Sequence, residues 1–251
     1  MSQSLKKGIE ALLFLASKKS VGVTELAERL GVNKSTAFRV LDTFLEADFV
    51  EKDKITLKYK LGPVILQLSE RYYKNFNRIN TAKPVMERLA AEIHESVHLC
   101  TLSNNSAVVI EQVLSSSRLV VNAKIGHREP LHCSSVGKCL LAFAAEKDRE
   151  KMIAHIAYDV FTDKTIRDQA ALLKELERVR AQGYAVDDGE LNPDIRCVAV
   201  PLFDHQGHCV YSLGTSGAAS RMTREKLSRV IPAMLRAAKE IDVLAGDLQA
   251  R

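Results

Sequence analysis

The spacing of apolar residues divides the start of the chain into short helices. Apolar side chains recur every three or four positions over residues 5–16, which places them on one face of a helix. Thr24 can cap a second helix over residues 25–30, and Gly31 is well placed to end it. A further helix that starts only a few residues after this glycine would complete the pattern typical of a helix-turn-helix.

That further helix is predicted over residues 34–46, with Asn33 as its N-cap. Phe38 lies at the edge of its apolar face and is expected in the core rather than at a thymine methyl group. The opposite face is polar in the first two turns, where a recognition helix meets the edges of bases. The residues expected to pack on the two preceding helices are Ala37, Val40, Leu41, Phe44 and Leu45.

The chemistry of the polar face and of the segment after it indicates DNA contacts. Arg39 can donate two hydrogen bonds to guanine, while hydroxyl and ammonium groups can bind phosphates. Residues 49–61 alternate as in a short basic hairpin, which would form a wing. Its lysines also suit a solvated surface, and we expect one or two of them to have only that role. The candidate DNA-binding residues are Thr24, Asn33, Lys34, Ser35, Thr36, Arg39, Lys52, Lys54 and Lys58.

The distribution of charge supports an interaction of this first part with a polyanion. The chain of 251 residues has a formal net charge of +5. Residues 1–78 hold 14 basic and 9 acidic residues, whereas the remainder holds 22 of each. All of the excess positive charge therefore lies in the first third, which favours a DNA-binding module followed by a neutral module with another role.

Localisation and redox state follow from what the sequence lacks. No apolar run approaches the roughly 20 residues that span a membrane. Lys18 and Lys19 stand where a signal peptide would need small residues. The chain has five cysteines, an odd number, and no two are spaced C-x-x-C. We therefore expect a cytoplasmic protein with reduced thiols, no cofactor and no membrane partner.

The second part of the chain begins after a predicted linker helix. Pro63 suits the first turn of that helix, residues 75–80 are the expected boundary, and Pro84 is expected to start the next helix. Antiparallel strands with helices before, between and after them then indicate an α+β domain. The predicted strands are residues 97–102, 108–113, 119–123, 184–186, 197–202 and 209–215, and the predicted helices are residues 136–144, 167–182 and 225–244, the last capped by Thr223.

Four segments together resemble the isocitrate-lyase-regulator (IclR) family of bacterial transcription factors. They are residues 32–41, 59–63, 131–141, and 183–188 with 195–201. The resemblance covers nearly the whole chain in the expected order. It implies a winged helix-turn-helix domain over residues 1–62, a linker helix over 63–78 and a GAF-like effector-binding domain over 79–251. It also implies a homodimer or homotetramer that binds a palindromic operator in double-stranded DNA.

The same resemblance implies where a small-molecule effector binds. Ser134 and Ser135 precede a helix whose free N–H groups would attract an anion, although either serine could simply cap that helix. Asp187 could likewise only start a turn, and Cys197 could only pack. Gly214 stands where relatives often carry serine, and this difference predicts space for a larger ligand. The implied effector contacts are Ser134, Ser135, Val136, Asp187, Cys197 and Ser216.

These observations predict a sequence-specific DNA-binding regulator, with repression as the favoured role, controlled by a small organic acid such as a carboxylate. An enzyme that uses Cys133, His132 and Asp187 as a cysteine nucleophile system is disfavoured, because the adjacent His132 and Cys133 of an extended segment point to opposite faces. The alternative is a metal- or redox-sensing regulator. Its potential ligands match no compact zinc motif and are His98, Cys100, His132, Cys133 and Cys197.

Overall fold

A computed structural model describes residues 2–74, 77–117, 120–204 and 206–249. The chain forms two compact units, Met1–Phe76 and Asn77–Arg251, each of which has its own core. Within the described part of the chain, no helix is both long enough and apolar enough to cross a bilayer.

The first unit is a three-helix arrangement followed by a two-stranded antiparallel hairpin and a fourth helix. Its core is formed by side chains from all three helices and both strands, among which Leu15, Leu26, Leu41 and Tyr59 are fully buried. The elements are α1 (Gln3–Ala16), α2 (Val23–Leu30), α3 (Lys34–Glu46), β1 (Val50–Lys52), β2 (Tyr59–Leu61) and α4 (Val64–Lys74).

The turn between α2 and α3 has the predicted geometry. Gly31 ends α2 in the left-handed conformation with φ of 62°, which favours glycine. Asn33 caps α3, because its Oδ1 atom accepts a hydrogen bond from the Thr36 N–H at 2.8 Å. The helix-turn-helix, the bounds of α3 and the hairpin after it are therefore confirmed.

Two details of this unit were predicted wrongly. Thr24 does not cap α2, because the helix begins one residue earlier, at Val23, with Gly22 as its N-cap. Phe38 is not in the core but 43% exposed. The buried face of α3 is centred on Ala37 and Leu41, and a step of one residue turns Phe38 about 100° away from Ala37.

The second unit is built on a six-stranded sheet in which all pairings are antiparallel, as the predicted α+β class requires. The strand order is β5-β4-β3-β8-β7-β6. Its elements are α5 (Asn77–Ile93), β3 (Ser96–Ser103), β4 (Ser106–Val113), β5 (Arg128–Glu129), α6 (Ser135–Phe143), α7 (Glu146–Ile153), α8 (Gln169–Gln182), β6 (Ala185–Asp188), β7 (Ile195–Phe203), β8 (Cys209–Ala218) and α9 (Arg224–Gln249).

Helices cover both faces of this sheet. α5 and α9 pack together and contact strands β3, β4 and β7. On the other face, residues of α6 and α8 such as Leu140 and Leu176 share a buried cluster with Val109 and Ala199 of the sheet. The face that contacts α6, hereafter the α6 face, carries the candidate effector residues.

The structure also corrects the predicted elements of this unit. Pro84 does not start a helix but lies inside α5. Residues 120–123 of the strand predicted over 119–123 form no strand, and residue 119 lies outside the described residues. The edge of β4 is instead taken by the segment that ends in β5, because Val109 exchanges hydrogen bonds with Gly126 and His127. α7 was not predicted at all.

A fully buried lysine holds α6 in place. The Lys138 ammonium group donates a hydrogen bond of 2.6 Å to the Val186 carbonyl oxygen and lies 3.3 Å from the Glu175 carboxylate. It also contacts the Glu190 carboxylate. Because Glu175 belongs to α8 and Val186 to β6, this single side chain ties α6 to both elements.

Replacement of Lys138 by methionine should lower the free energy of unfolding by about 3–5 kcal/mol, because buried carboxylates then lose their counter-charge. Urea unfolding at pH 7 would measure this change. The matched control is Lys174→Met, since Lys174 is exposed on α8 and its replacement should change stability by less than about 0.5 kcal/mol. Equal stabilities of the two variants would contradict the assigned role of Lys138.

Candidate DNA interface and effector site

The start of α3 presents a free cation at the surface. Arg39 is exposed, and its guanidinium group has no hydrogen bond or ion pair with another described residue. Lys34 is exposed in the first turn of α3. Ser35 instead donates a hydrogen bond of 2.9 Å to Asn33 Oδ1, the same atom that caps the helix. Asn33 and Ser35 therefore stabilise the start of α3, while Arg39 and Lys34 remain available to a partner.

The three candidate lysines of the hairpin differ in their surroundings. Lys54 and Lys58 are exposed and have no ion-pair partner among the described residues. The Lys52 ammonium group lies 5.3 Å from the centre of the Tyr59 ring, a cation–π contact. The turn is ordered by Asp53, whose carboxylate accepts hydrogen bonds from residues 55 and 56 that lower its pKa.

Three of the candidate effector residues form one row across the sheet. Asp187 of β6 lies opposite Cys197 of β7, which lies opposite Ser216 of β8. Residues paired in this way share a face, and the Cys197 Sγ and Ser216 Oγ atoms are 3.1 Å apart. Asp187 and Ser216 are buried, with 2% and 5% of their surface exposed. The structure thus brings together residues that are up to 29 positions apart in the sequence.

The other three candidates form the N-terminus of α6. The Ser134 Oγ atom caps the helix by accepting a hydrogen bond from the Gly137 N–H at 3.0 Å, and it donates one to the Pro130 carbonyl oxygen. The N–H groups of Ser135 and Val136 are buried and have no partner among the described residues, as is usual for the first positions of a helix. Ser134 therefore serves as a cap, whereas Ser135 and Val136 offer free donors.

The row on the sheet and the helix start adjoin each other. A Cβ atom placed on Gly214, two residues before Ser216, would lie 2.7 Å from the Val136 Cγ1 atom. The α6 N-terminus is thus packed directly over the α6 face. Asp187, Cys197 and Ser216 therefore lie on the face over which α6 begins, where the helix dipole favours a negative charge.

Asp187 has a second role in this region. Its Oδ1 atom accepts a hydrogen bond of 2.6 Å from the Glu190 N–H, so it also orders the turn after β6. Burial raises the pKa of Asp187, and the Glu190 N–H and the Lys138 ammonium oppose that rise. One side of the carboxyl group is thus already satisfied.

Comparison with known proteins identifies the family. Residues 4–54 match the IclR helix-turn-helix domain, and residues 70–243 match the C-terminal domain of the bacterial transcriptional regulator IclR. The chain belongs to the IclR family. It is therefore a DNA-binding transcriptional regulator.

Individual members of the IclR family match over almost their full length. The transcriptional regulator KdgR of Escherichia coli is 32% identical over 243 residues, which are 97% of this chain and 92% of KdgR. The transcriptional repressor AllR of Salmonella typhi is 32% identical over 98% of this chain and 90% of AllR. The Thermotoga maritima IclR structure has a TM-score of 0.81 and 30% identity over 96% of this chain and 98% of that chain.

The rival functions are not favoured in this IclR-family regulator. Its curated relatives are transcriptional regulators rather than enzymes. Burial raises the pKa of the Cys133 thiol to about 12, the opposite of what an activated nucleophile needs. Among the described residues, no three or more His, Cys, Asp or Glu side chains are grouped so that they could hold a metal ion.

The glycine at position 214 does not open space for a ligand, contrary to the prediction from the family pattern. His98 of β3 lies directly opposite Gly214, and its Nε2 atom would be 2.4 Å from a Cβ atom at that position. The imidazole ring therefore fills the volume that a serine would need. The sequence could not show this relation, because the pairing of β3 with β8 joins residues that are far apart in the chain.

Two polar residues of this region were not among the predicted effector contacts. His98, considered only as a metal ligand, is 1% exposed and its Nδ1 atom has no partner among the described residues. Glu129 lies on β5, and its pKa is raised to about 7, first by burial and then by repulsion from Asp187, while the Ser134 hydroxyl partly opposes the rise. A single acidic residue in a segment without a regular pattern gives no signal in a sequence.

Replacement of Gly214 by serine should destabilise the protein by about 1–3 kcal/mol, because the new side chain collides with His98. In a His98→Ala background the same change should be nearly neutral, since the imidazole ring is gone. Urea unfolding of the two single variants and the double variant would give the coupling energy. Additive effects would contradict the steric relation between the two residues.

Proposed function

We propose that this regulator binds a palindromic operator as a homodimer or homotetramer, represses transcription, and responds to a small organic acid bound on the α6 face of its second unit. The observation that carries the effector proposal is the pair of buried, unpartnered N–H groups of Ser135 and Val136 beside Asp187, Cys197 and Ser216. Two observations on other proteins support the proposal, the first concerning repression and the second concerning the effector. AllR is named a repressor, and a structural neighbour of the same fold was solved with 4-hydroxybenzoate.

The proposed DNA contacts divide into base and phosphate contacts. Arg39 is the free cation on the recognition helix and would bind the edge of a guanine. Lys34, Lys54 and Lys58 are exposed and suited to phosphates. Lys52 is also exposed, but it is less suited because its ammonium group already contacts the Tyr59 ring. Release of counterions from the DNA would make operator affinity fall as salt rises.

Arg39→Ala should weaken operator binding by about 1–3 kcal/mol and relax the preference at one base of each half-site. Arg39→Lys is the matched control, because it keeps the charge but loses the paired donors. Fluorescence anisotropy with operator and random DNA would measure both. If alanine weakens binding to both DNAs equally and lysine restores both, Arg39 contacts only phosphate.

The proposed assembly rests on an exposed apolar stripe. Leu5, Ile9 and Leu13 of α1 lie four residues apart, and 64%, 51% and 67% of their surface is exposed. On α4, Leu66 and Leu68 are exposed to 73% and 54%. A second copy of the chain would cover such apolar surface and present two recognition helices to half-sites about one helical turn apart, or a multiple of that distance.

Ile9→Glu should shift the protein towards monomers at micromolar concentration and weaken operator binding, because it places a charge within the apolar stripe. Leu173→Glu is the control, since Leu173 is an exposed apolar residue of α8 in the other unit. Light scattering would measure the mass of both. A wild-type monomer that still binds the operator tightly would refute the assembly proposal.

The proposed effector chemistry follows from the groups that border the site. The Ser135 and Val136 N–H groups suit a carboxylate, and the Ser216 hydroxyl and the Asp187 carboxyl suit a hydroxyl or carbonyl group elsewhere on the ligand. A second carboxylate near Asp187 would be repelled. The proposal therefore favours monocarboxylates, including hydroxy and oxo acids, over diacids. The effector changes operator affinity only if it binds the two functional states of the regulator unequally.

Calorimetry of the full chain with a panel of small monocarboxylates would test this chemistry. For any acid that binds to the wild type, Ser216→Ala and Asp187→Ala should each lower the affinity by about tenfold. Each substitution removes a hydrogen bond in a partly dry site. Ser228→Ala on the exposed surface of α9 is the control and should have no effect. If neither substitution weakens binding even by about threefold, the site assignment is wrong.

A further inference from the structure

The acidic residue Glu129 faces the effector site. It lies on β5 opposite Ala107 of β4. Ala107 belongs to the buried cluster that includes α6. Since paired residues of antiparallel strands share a face, the Glu129 side chain is on the α6 face. The Ser134 hydroxyl group donates a hydrogen bond of 2.6 Å to the carbonyl oxygen of Pro130, the residue after Glu129, so β5 leads directly to the start of α6.

We propose that Glu129 is a specificity-determining residue of the effector site, and that it binds the carboxylate of the effector as a neutral acid that donates a hydrogen bond. The proposal rests on the organic-acid function proposed above and adds the requirement that one proton accompanies the effector. It assigns a role to a residue that neither the family pattern nor the spacing of the sequence indicated.

The groups around Glu129 leave an ionised effector without a free counter-charge. Lys138 of α6 is the one cation among the groups that face this region from the described elements, and its ammonium group is already bound to three partners. Arg128, the neighbour of Glu129 on β5, directs its guanidinium group to the Ser103 carbonyl oxygen. The remaining titratable groups are acids, thiols or a neutral imidazole, namely Asp187, Glu190, Cys100, Cys133, Cys197 and His98.

Protonation of Glu129 removes the conflict between the site and an anion. If Glu129 were ionised, it would add a negative charge beside Asp187 and the bound carboxylate in a region with little water. The neutral acid instead supplies an O–H donor, and an O–H···O⁻ bond is among the stronger hydrogen bonds in proteins. The pKa of Glu129, raised to about 7 by burial and by Asp187, makes this form available at neutral pH.

A second, independent feature indicates that a polar ligand belongs in this region. The His98 ring is almost completely buried, and its Nδ1 atom has no partner among the described residues. His98 lies opposite Gly214, which is two residues from Ser216 on the same strand and shares its face. Burial lowers the pKa of His98 to about 4, so the ring is neutral and cannot balance the charge of an anion. It can nevertheless exchange a hydrogen bond with one.

The proposal predicts how binding depends on pH. A bound carboxylate stabilises the protonated form of Glu129, so its pKa rises further in the complex. At pH values above the pKa of Glu129 in the free protein, binding therefore takes up a proton. Below about pH 7 the acid is already neutral and affinity is at its maximum. Above that pH, affinity should fall by about tenfold per pH unit until the pKa of the complex is reached.

The test uses the full chain with pyruvate, glycolate and benzoate, which are ionised throughout the range from about pH 6.5 to 8.5. Calorimetry in two buffers with different ionisation enthalpies gives both the affinity and the number of protons taken up. We expect the wild type to take up close to one proton at the alkaline end and to lose affinity there. Glu129→Gln keeps a neutral donor, so it should bind without this pH dependence and about tenfold more tightly than the wild type at the alkaline end.

Two further variants identify the source of the proton. Glu190→Gln should keep the wild-type pH dependence, because the Glu190 carboxylate, whose pKa is also raised to about 7, is bound to Lys138. Glu129→Ala should remove the pH dependence and also weaken binding at pH 6.5, since the donor is gone. If Glu129→Gln does not fold, Glu129→Ala still tests the proton linkage, and thermal unfolding establishes which variants are native.

The outcomes separate this inference from the proposed function. The role of Glu129 is wrong if the acids bind to the wild type without pH dependence. It is also wrong if Glu129→Gln retains the wild-type decrease of affinity with rising pH. In both cases the organic-acid site remains. If only Glu190→Gln removes the dependence of affinity on pH, the proton binds at Glu190 and the role of Glu129 is wrong. If none of the acids binds to the folded wild type or to the folded variants at any pH, the organic-acid proposal fails as well.

Discussion

The geometry of the proposed effector region depends on the buried ammonium group of Lys138. This group joins α6 to the Val186 carbonyl oxygen of β6 and to Glu175 of α8, and it contacts Glu190 in the turn after β6. Because Lys138 is one turn inside α6, these bonds place the start of the helix beside Asp187. Removing an ammonium group from water costs several kcal/mol, which ion pairs often only offset. We therefore interpret Lys138 as a residue that sets geometry, and its removal destabilises the protein because Glu175 and Glu190 are left without their counter-charge.

The two units use charge in different physical regimes. The cations of the first unit, such as Arg39 and Lys58, are exposed, so their interactions are screened by salt and suited to DNA. In the second unit, the proposed site is bordered by partly buried carboxyl groups such as Glu129 and Glu190, whose pKa values are raised to about 7. Salt screens these groups little, whereas pH near neutrality changes their charge. One regulator can therefore respond to both conditions through separate residues.

Local signals predicted the first unit better than the second. Asn33 and Gly31 act within a few residues of their positions, so the bounds of α3 follow from capping and backbone conformation alone. The row of Asp187, Cys197 and Ser216 was found only through the resemblance to a family, since the register of three strands brings it together. The collision between His98 and a side chain at position 214 depends on the same kind of long-range pairing. No local pattern contains that information.

The proposed effector site contains several polar groups whose hydrogen-bonding capacity is not used within the described part of the chain. The N–H groups of Ser135 and Val136 and the Nδ1 atom of His98 are buried without partners among the described residues. A polar group of this kind destabilises a protein wherever its hydration is lost and not replaced. A ligand that satisfies them stabilises this arrangement selectively, which is the condition for shifting an equilibrium between two functional states. The proposed site would therefore owe its selectivity for a polar ligand to groups that find no partner within the described part of the protein.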